Sequence, residues 1–383
     1  MGGSCCGDWA MKITNLVVRR VDVPHSRPYR GAWQPPDFVD RSRTVTIVKI
    51  ETDVGLVGWG IGDVIDEVMV REVVAPELIG KDPGALDQHI DVLRRTGAFL
   101  VDMALCDLVG KAAGQPLHQL WGYSATRVRA YASTIVAATP EQRAEDALRY
   151  LEQGFTAIKL RIAFSTMDED IALVTAVRNA VGDRMEIMVD ANYSHSLEFD
   201  HRPSWSYSRA LATARELEQL DVVWLEEPLA RDDLEGLARL TAETGIAIAG
   251  GEGDLGVAKL NRLLEVGAYD ILQADCSICE GLSQFIRLAA AAEFCGRQFI
   301  PHHGCTGLGL AAHMQLSACV TNSPYVEFIL DPPYRTVEVY QQLGGIVAEP
   351  QWIDSDGYLP VPTGPGLGVD VDEAAIAQYE VSV

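Results

Sequence analysis

The sequence predicts an α/β protein whose larger part is a (β/α)8-type, or modified TIM, barrel and whose smaller part is an α+β capping domain. Two observations lead to this fold class. Eight short apolar runs without polar alternation occur over about 128–330, and seven helix-like segments separate them. Such runs are typical of parallel strands buried on both faces, and eight of them suit a closed barrel. Several runs also end in a carboxylate, so acidic groups should converge on one rim.

The capping domain is predicted mainly from the first third of the chain. Segments 12–24 and 43–51 alternate like antiparallel strands, a hairpin follows, and apolar residues take helical spacing from Val68 to Leu120. The Pro- and Gly-rich tail is expected to return to this domain. The predicted divisions are a leader or expression remnant over 1–10, the cap over 11–127, the barrel over 128–354 and the returning segment over 355–383.

Composition excludes several classes of partner. The 383 residues include 31 basic and 54 acidic ones, for a formal net charge of −23. That field repels nucleic acid and anionic membranes, and it opposes an anionic substrate unless local cations invert it. The first ten residues lack a secretory signal, and a myristoylation motif starting at Gly2 fails because Cys6 replaces the required hydroxyl residue. A cytoplasmic location is expected, with the eight cysteines as reduced thiols.

Two short motifs are weak matches to known ligand sites. Gly58, Gly60 and Gly62 form a GxGxG, but no βαβ pattern surrounds them, so a hairpin is a better interpretation than a dinucleotide loop. Cys276 and Cys279 form a CxxC without a second pair at zinc-finger spacing. Neither motif therefore predicts a cofactor.

The carboxyl ends of the predicted strands carry the chemistry. In barrels of this kind the active site lies at that face, because all parallel strands end there. Read in chain order, the strand ends carry Lys159 and Arg161 on strand two, Asp190 and Asn192 on three, Glu226 on four, Glu252 on five, Asp275 on six, His302 on seven and Glu327 on eight.

Asp190, Glu226 and Glu252 end three successive strands and are the candidate metal ligands. Carboxylates with open coordination positions suit Mg²⁺, one ion per subunit, with Mn²⁺ as a substitute. The ordinary alternative is that such acids are helix N-caps or ion pairs within the barrel. Three in succession, each after a buried run, favour the metal.

These positions resemble the enolase superfamily, in its mandelate racemase subgroup. The resemblance rests on the segments VDAN, WLEEP and GGE, on Asp275 and His302, and on ALCDLVGKAAGQPLHQLWG and GPGLGVDVDE, and it extends from Met11 to the tail. It implies removal of the proton α to a carboxylate, giving an enediolate stabilised by a metal ion. It also implies that the three acids hold the metal, that Asp275 orients His302 as a base, and that Glu327 donates a hydrogen bond to the substrate carboxylate.

The sequence departs from the subgroup on strand two, where the racemase pattern Lys-x-Lys is replaced by Lys159-Leu160-Arg161. Arginine is almost always protonated, so Arg161 is a poor base but a good clamp for a carboxylate or hydroxyl. Moving a proton between two faces of a substrate ordinarily needs two bases, whereas β-elimination needs His302 alone. Dehydration of an aldonic or aldaric acid is therefore expected, with Lys159 as a cation near the metal. Asp275 stands where the muconate-lactonizing branch has lysine, which weighs against cycloisomerases and dipeptide epimerases.

Two alternatives remain open. One is a racemase or epimerase of a 2-hydroxy acid that uses Arg161 or Lys159 as its second base. The other is a metal-binding barrel without turnover, which has no need of the pair His302 and Asp275.

Contacts to the rest of the substrate are predicted from loops, although such residues are more often solvated or packed at a subunit contact. The candidates are Trp33 and Arg30 in the cap loop, Asn192 and His303 after strands three and seven, and His195, His201 and Trp205 in an unusually long third loop. The expected partner is a small-molecule sugar acid or 2-hydroxy acid, and the resemblance suggests a homo-oligomer.

Overall fold

The computed structural model describes residues 11–122, 125–162, 164–194, 204–303 and 305–381. Its first part contains a three-stranded antiparallel sheet in chain order. The strands are β1 (Ile13–Tyr29), β2 (Asp40–Thr52) and β3 (Val57–Gly62). The first strand continues past its predicted end at Pro24, because a register shift lets Tyr29 pair with Asp40.

The helices of this part pack on one face of the sheet. They are α1 (Glu67–Met69), which continues through a π-helical turn (Val70–Val74) into α2 (Ala75–Leu78), then α3 (Leu86–Thr96), α4 (Phe99–Ala113) and α5 (Leu117–Trp121). A Cβ on Gly60 would lie 1.9 Å from the carbonyl oxygen of Leu100, and one on Gly58 would lie 2.2 Å from that of Ala104. The GxGxG therefore allows α4 to touch β3 backbone to backbone, and no dinucleotide loop is formed.

The second part alternates strands and helices. The parallel strands are β4 (Arg127–Ser133), β5 (Ala157–Arg161), β6 (Glu186–Asp190), β7 (Val222–Glu226), β8 (Ala247–Gly250), β9 (Ile271–Leu272), β10 (Gln298–Phe299) and β11 (Tyr325–Ile329). The helices between them are α6 (Pro140–Glu152), α7 (Met167–Val181), α8 (Tyr207–Gln219), α9 (Leu234–Glu243), α10 (Val257–Val266), α11 (Leu282–Phe294) and α12 (Gly307–Ser317).

The strands form a (β/α)8-type barrel, which confirms the predicted fold class. Pairing runs in the order β10-β9-β8-β7-β6-β5-β4-β11. The two ends of this order also meet, because the N–H of Phe299 on β10 donates to the carbonyl of Asn322, just before β11, at 3.0 Å. One apolar ring fills the interior, with one residue from or directly after each strand: Tyr131, Ala157, Met188, Trp224, Ala249, Ile271, Ile300 and Tyr325. Strands six and seven are shorter than predicted, so Asp275 and His302 lie in the loops beyond β9 and β10.

The last segment returns along both parts of the molecule. After α13 (Val337–Tyr340), β12 (Tyr358–Pro360) pairs antiparallel with β4, so this stretch lies on the barrel. The final helix, α14 (Glu373–Tyr379), then packs against β1, and Glu373 forms an ion pair with Lys49 of β2. Among the described residues, no helix combines the length and apolar character that a membrane crossing requires.

Candidate functional site

The polar rim forms the layer directly above the apolar ring. Residues two apart on a strand face the same side, and six rim residues each follow a ring member by two positions. They are Ser133, Lys159, Asp190, Glu226, His302 and Glu327. Pairing of β5, β6 and β7 also aligns Arg161, Asp190 and Glu226 in one row across the sheet. The period of the strands thus brings acids that are distant in sequence to one place.

Two cations hold the carboxylates of this layer. The Nζ of Lys159, which has no solvent exposure, donates to Glu226 at 2.8 and 3.1 Å and lies 2.9 Å from an oxygen of Glu327. The guanidinium of Arg161 donates to Asp190 and, at 3.2 Å, to Asn192 Oδ1. Burial opposes the charge on Lys159, but the adjacent carboxylates, Glu226 first, raise its pKa above the ordinary value. Lys159 is therefore a fixed cation.

The donor set fits a hard divalent cation. Asp190 and Glu226 are fully buried, Glu252 is 9% exposed, and all three follow adjacent strands. Burial and the neighbouring charge of Glu226 raise the pKa of Asp190 well above the usual range, which shows that like charges are crowded here. Glu226 also accepts hydrogen bonds from Trp224 Nε1 at 3.1 Å and Gln273 Nε2 at 2.9 Å, which orient its oxygens. Mg²⁺ prefers such oxygen ligands, so these three residues could hold it.

A second group of potential ligands lies just behind the rim. Among the described residues, ligand atoms of Asp275, Cys276 and His313 lie within 4.8 Å of one another. His313 Nε2 already accepts the backbone N–H of Cys276 at 3.3 Å, and burial raises the pKa of the Cys276 thiol well above the ordinary value. A neutral thiol and an occupied imidazole nitrogen make this group a poorer metal site than the three strand-end carboxylates.

His302 and Asp275 form a hydrogen-bonded pair at the rim. Nδ1 of His302 lies 2.9 Å from Asp275 Oδ2, and its Nε2 lies 3.3 Å from Glu252. The other oxygen of Asp275 accepts the backbone N–H of Ser277 at 2.8 Å and its hydroxyl at 2.6 Å. Ser277 therefore fixes the carboxylate so that Oδ2 faces the imidazole. This arrangement leaves Nε2 of His302 as the nitrogen able to exchange a proton.

Surrounding carboxylates control the charge of His302. Burial opposes the imidazolium, but Glu252 and the hydrogen bond that His302 donates to Asp275 raise the pKa of His302 to about 10. A cation at Glu252 would weaken the larger of these attractions and favour the neutral base. Asp275 itself stays ionised, because the bonds from His302 and Ser277 outweigh its burial and lower its pKa.

Glu327 lies at the rim beside Lys159 and Arg161. Burial favours its neutral form, but Lys159, His302 and Arg161 together hold its pKa well below the usual range. Its oxygens accept hydrogen bonds from Ser133 Oγ at 2.6 Å and from the backbone N–H of His303 at 3.1 Å. In this arrangement Glu327 accepts hydrogen bonds from protein, and its role toward the substrate carboxylate stays a prediction.

A cavity of about 230 Å³ opens onto the rim and receives residues from both parts of the molecule. The barrel residues that line it are Arg161, Asn192, Glu252 and His302, with Ile135, Ile278 and Ile329 as apolar neighbours. The cap loop supplies Trp33, whose ring lies 5.2 Å from the Arg161 guanidinium carbon. A larger groove of about 630 Å³ lies on the outer surface of α6, α7 and α8, away from the strand ends.

Several predicted contacts lie elsewhere. The ring of His303 is fully buried against His313 and Tyr340, which contradicts its predicted contact with substrate. The reason is the strand period, since His303 is three positions beyond the ring residue Ile300 and faces outward. Arg30 donates to the carbonyl of Gln34 in its own loop and does not line the cavity. Trp205 packs on Tyr193 and Arg209, whereas His195 and His201 lie outside the described residues.

Sequence reasoning missed four polar residues that line the cavity: Arg43, Asp63, Arg335 and Tyr340. The first two belong to the cap sheet, at β2 and just after β3, and the last two follow the final barrel strand. No local pattern marks them, because they meet only when the cap packs over the barrel. Ser277, which stands two residues after Asp275 and bonds to it, could have been found from that spacing.

Comparison with known proteins identifies the class to which this fold and site belong. The model for the mandelate racemase / muconate lactonizing enzyme N-terminal domain matches residues 15–122, and the enolase C-terminal domain-like model matches residues 142–375. The chain belongs to the enolase superfamily, within its mandelate racemase group.

The relatives are similar over nearly the whole chain. D-galactarolactone cycloisomerase of Agrobacterium fabrum is 29% identical over 97% of this chain and 99% of its own. Arabinonate dehydratase of Saccharolobus solfataricus is 28% identical over 92% and 94%. The structure of L-talarate dehydratase from a Polaromonas species, solved with Mg and L-glucarate, has a TM-score of 0.82, with 28% identity over 97% and 98% of the two chains.

The relatives include both lyases and isomerases. L-Ala-D/L-Glu epimerase of Bacillus subtilis is 28% identical over 94% of this chain and 97% of its own. A cycloisomerase and a dipeptide epimerase therefore stand beside dehydratases among the relatives, so similarity alone does not choose between these classes. The chain is an enolase-superfamily enzyme, and its own residues must be used to argue for a reaction.

Proposed function

We propose that this enzyme is a Mg²⁺-dependent dehydratase of a sugar acid, an aldonate or aldarate, that yields a 2-keto-3-deoxy acid. One observation carries the proposal. Among the described residues of the rim, His302 is the one group able to act as base, because Arg161 is a guanidinium and Lys159 is enclosed by Glu226 and Glu327 with no solvent exposure. A proton can then be taken from and returned to one face of the substrate, which suits elimination.

His302 performs both proton transfers in this proposal. Its Nε2 removes the proton α to the carboxylate while Asp275 holds Nδ1–H and stabilises the imidazolium that forms. The imidazolium then gives that proton to the departing 3-hydroxyl, so water leaves and the enol product becomes the 2-keto acid. Arg161, 5.2 Å from the Trp33 ring and lining the cavity, orients the substrate carboxylate or 2-hydroxyl.

Asp190, Glu226 and Glu252 are the proposed ligands of Mg²⁺, with Mn²⁺ as a substitute. When bound, the ion would neutralise the charge that develops on the substrate carboxylate after proton loss. Lys159 adds a fixed positive charge beside Glu226 and Glu327. This local positive charge offsets the −23 of the chain at the point where an anionic substrate enters. The proposal further takes the enzyme to be a cytoplasmic homo-oligomer.

Two other outcomes share the first proton transfer. An epimerase would return the proton to the other face, and a cycloisomerase would expel a ring oxygen of a lactone or anhydro sugar. The similarity to D-galactarolactone cycloisomerase is the observation that favours the second. Product analysis separates these outcomes from dehydration.

The test is a screen of the purified protein with Mg²⁺ against aldonic acids, aldaric acids and their lactones, with 2-keto acids detected as semicarbazones. Dehydration that disappears in EDTA and falls by at least about 10³-fold in His302→Asn supports the proposal. His89→Asn is the matched control, since His89 is a buried histidine of the cap whose Nε2 bonds to the carbonyl of Asp82. Deuterium uptake at the α-carbon without a keto product would overturn dehydration in favour of epimerisation. Conversion of a lactone to an isomeric 2-keto acid, with the ring opened and no water lost, would favour a cycloisomerase.

A further inference from the structure

The wall of the cavity that the proposed reaction leaves unused carries positive charge. Beyond the barrel residues, the lining consists of Trp33, Arg43, Asp63, Arg335 and Tyr340. Arg43 donates to Asp63 at 2.8 Å, and the Asp63 side chain is 55% exposed. This pair is close to neutral, so Arg335 adds a positive charge to the wall.

Arg335 is buried without a strong partner. Only 7% of the residue is exposed, and its guanidinium carbon lies 4.9 Å from the Tyr29 ring and 5.3 Å from the Tyr340 ring. Its nearest carboxylate oxygen is on Asp40 at 3.9 Å, beyond hydrogen-bond distance. Within the described part of the chain, its Nη1 is buried and has no hydrogen-bond partner. A guanidinium held between rings in this way is a group prepared for an anion.

Asp40 does not fill that role, because its carboxylate is already held by another group. His25 Nε2 lies 3.1 Å from Asp40 Oδ1. Arg335 can therefore turn toward the cavity without losing a hydrogen bond to protein. Since a buried unpaired donor costs free energy, an incoming carboxylate that accepts from Arg335 would bind favourably.

We propose that Arg335, with Arg43 beside it in the cavity wall, binds the second carboxylate of the substrate, so that the enzyme acts on an aldarate in preference to an aldonate. This inference rests on the proposed function, because the first carboxylate is taken to lie at the barrel rim near Arg161 and His302. The cavity of about 230 Å³ is small, so a substrate whose first carboxylate lies at the rim places its far end against the wall that carries Arg335 and Arg43.

The test compares acids that differ only at the end remote from the reacting carboxylate. Dissociation constants for glucarate against gluconate, and galactarate against galactonate, are measured by calorimetry with Mg²⁺ in a His302→Asn background, where substrate is not consumed. We expect at least about tenfold tighter binding of the aldarates, the effect of one hydrogen bond to a charged group. Adding Arg335→Gln should weaken aldarate binding by about 10- to 100-fold and change aldonate binding by less than about threefold.

Two variants separate charge from structure. Arg335→Lys should keep part of the aldarate preference, because the charge remains while the planar pair of donors is lost. Arg262→Gln is the matched control, since Arg262 forms an exposed ion pair with Glu265 on α10, and it should leave both affinities unchanged. Equal loss of aldarate and aldonate binding in Arg335→Gln would overturn the inference, as would a parent enzyme without preference.

The inference and the proposed reaction fail in different ways. Selective aldarate binding that Arg335→Gln abolishes, without a 2-keto product from wild-type enzyme, upholds the inference and overturns dehydration. Efficient dehydration of aldarates and aldonates alike, with no selective loss of aldarate binding in Arg335→Gln, upholds the reaction and overturns the inference. Binding of no acid in the panel overturns both.

Discussion

Asp275→Asn is predicted to invert the tautomer of His302. The two sides of the Asp275 carboxylate have different partners, since Oδ1 accepts from the backbone N–H and hydroxyl of Ser277 while Oδ2 faces His302 Nδ1. The backbone N–H of Ser277 cannot reverse its polarity, so an asparagine must place its oxygen there and turn its NH2 toward the imidazole. Nδ1 then becomes an acceptor, and the proton moves to Nε2, the nitrogen that must act as base.

The expected loss follows from the removal of general-base catalysis. Positioned proton transfer contributes about 10²- to 10⁴-fold to rate, which corresponds to about 3–5 kcal/mol in the barrier. Asp275→Asn should lower both kcat and the rate of α-proton exchange in D₂O by a factor in this range. Mg²⁺ affinity should change little, because Asp275 is not one of the proposed ligands.

Asp102→Asn provides a matched control. Asp102 is equally buried and also accepts both the N–H and the hydroxyl of a serine, Ser283, but it lies between α4 and α11 outside the cavity. Turnover in this variant should stay within about twofold of wild type, because the substitution leaves every group of the proposed site in place. If Asp275→Asn kept more than a tenth of wild-type turnover and exchange, with Mg²⁺ saturating, the tautomer argument would be refuted.

Three further predictions concern stability and metal. Burial raises the pKa of Asp102 from its ordinary 3.8 to about 6, so the folded state binds this proton more tightly and stability from this group is lost as pH rises from about 4 to 6. The stability difference between Asp102→Asn and wild type should therefore grow in favour of the variant by about 2 kcal/mol between pH 4 and pH 8, as measured by urea unfolding; a constant difference would contradict it. Gly60→Ala should destabilise the fold by about 1–3 kcal/mol, because its Cβ would lie 1.9 Å from the carbonyl oxygen of Leu100. Gly55→Ala is the control, since Gly55 is exposed and an added Cβ there has no neighbour within 4 Å, so this variant tests only the positive φ. Equal thermal midpoints for Gly60→Ala and wild type would refute the prediction. EDTA should abolish turnover and lower the thermal midpoint, and added Mg²⁺ should restore both. Glu226→Gln should weaken Mg²⁺ binding at least about tenfold in calorimetry, and an unaltered affinity would remove Glu226 from the proposed ligands.

The sequence by itself determined the barrel, and the comparisons and structure confirm it. Apolar runs of strand length alternate with helical segments, and that rhythm specifies parallel strands because a backbone buried on both faces must be apolar throughout. It also located the strand ends, and the alternation of side chains along a strand explains why Asp190, Glu226 and Glu327 face one point. The same period accounts for the two adjacent histidines, since the structure places His302 in the cavity and buries His303 away from it.

Only the tertiary structure decided how the rim is finished. The enclosure of Lys159 by two carboxylates, the lowered pKa of Glu327 and the hydrogen bonds from Ser277 depend on burial and distance, which spacing along the chain does not express. The second wall of the cavity depends on docking between the cap and the barrel, so Arg43 and Arg335 come within one cavity although almost 300 positions separate them. A periodic sequence pattern reflects which face of a strand or helix is buried. Contacts between the cap and the barrel join residues at no regular spacing, so no such pattern predicts them.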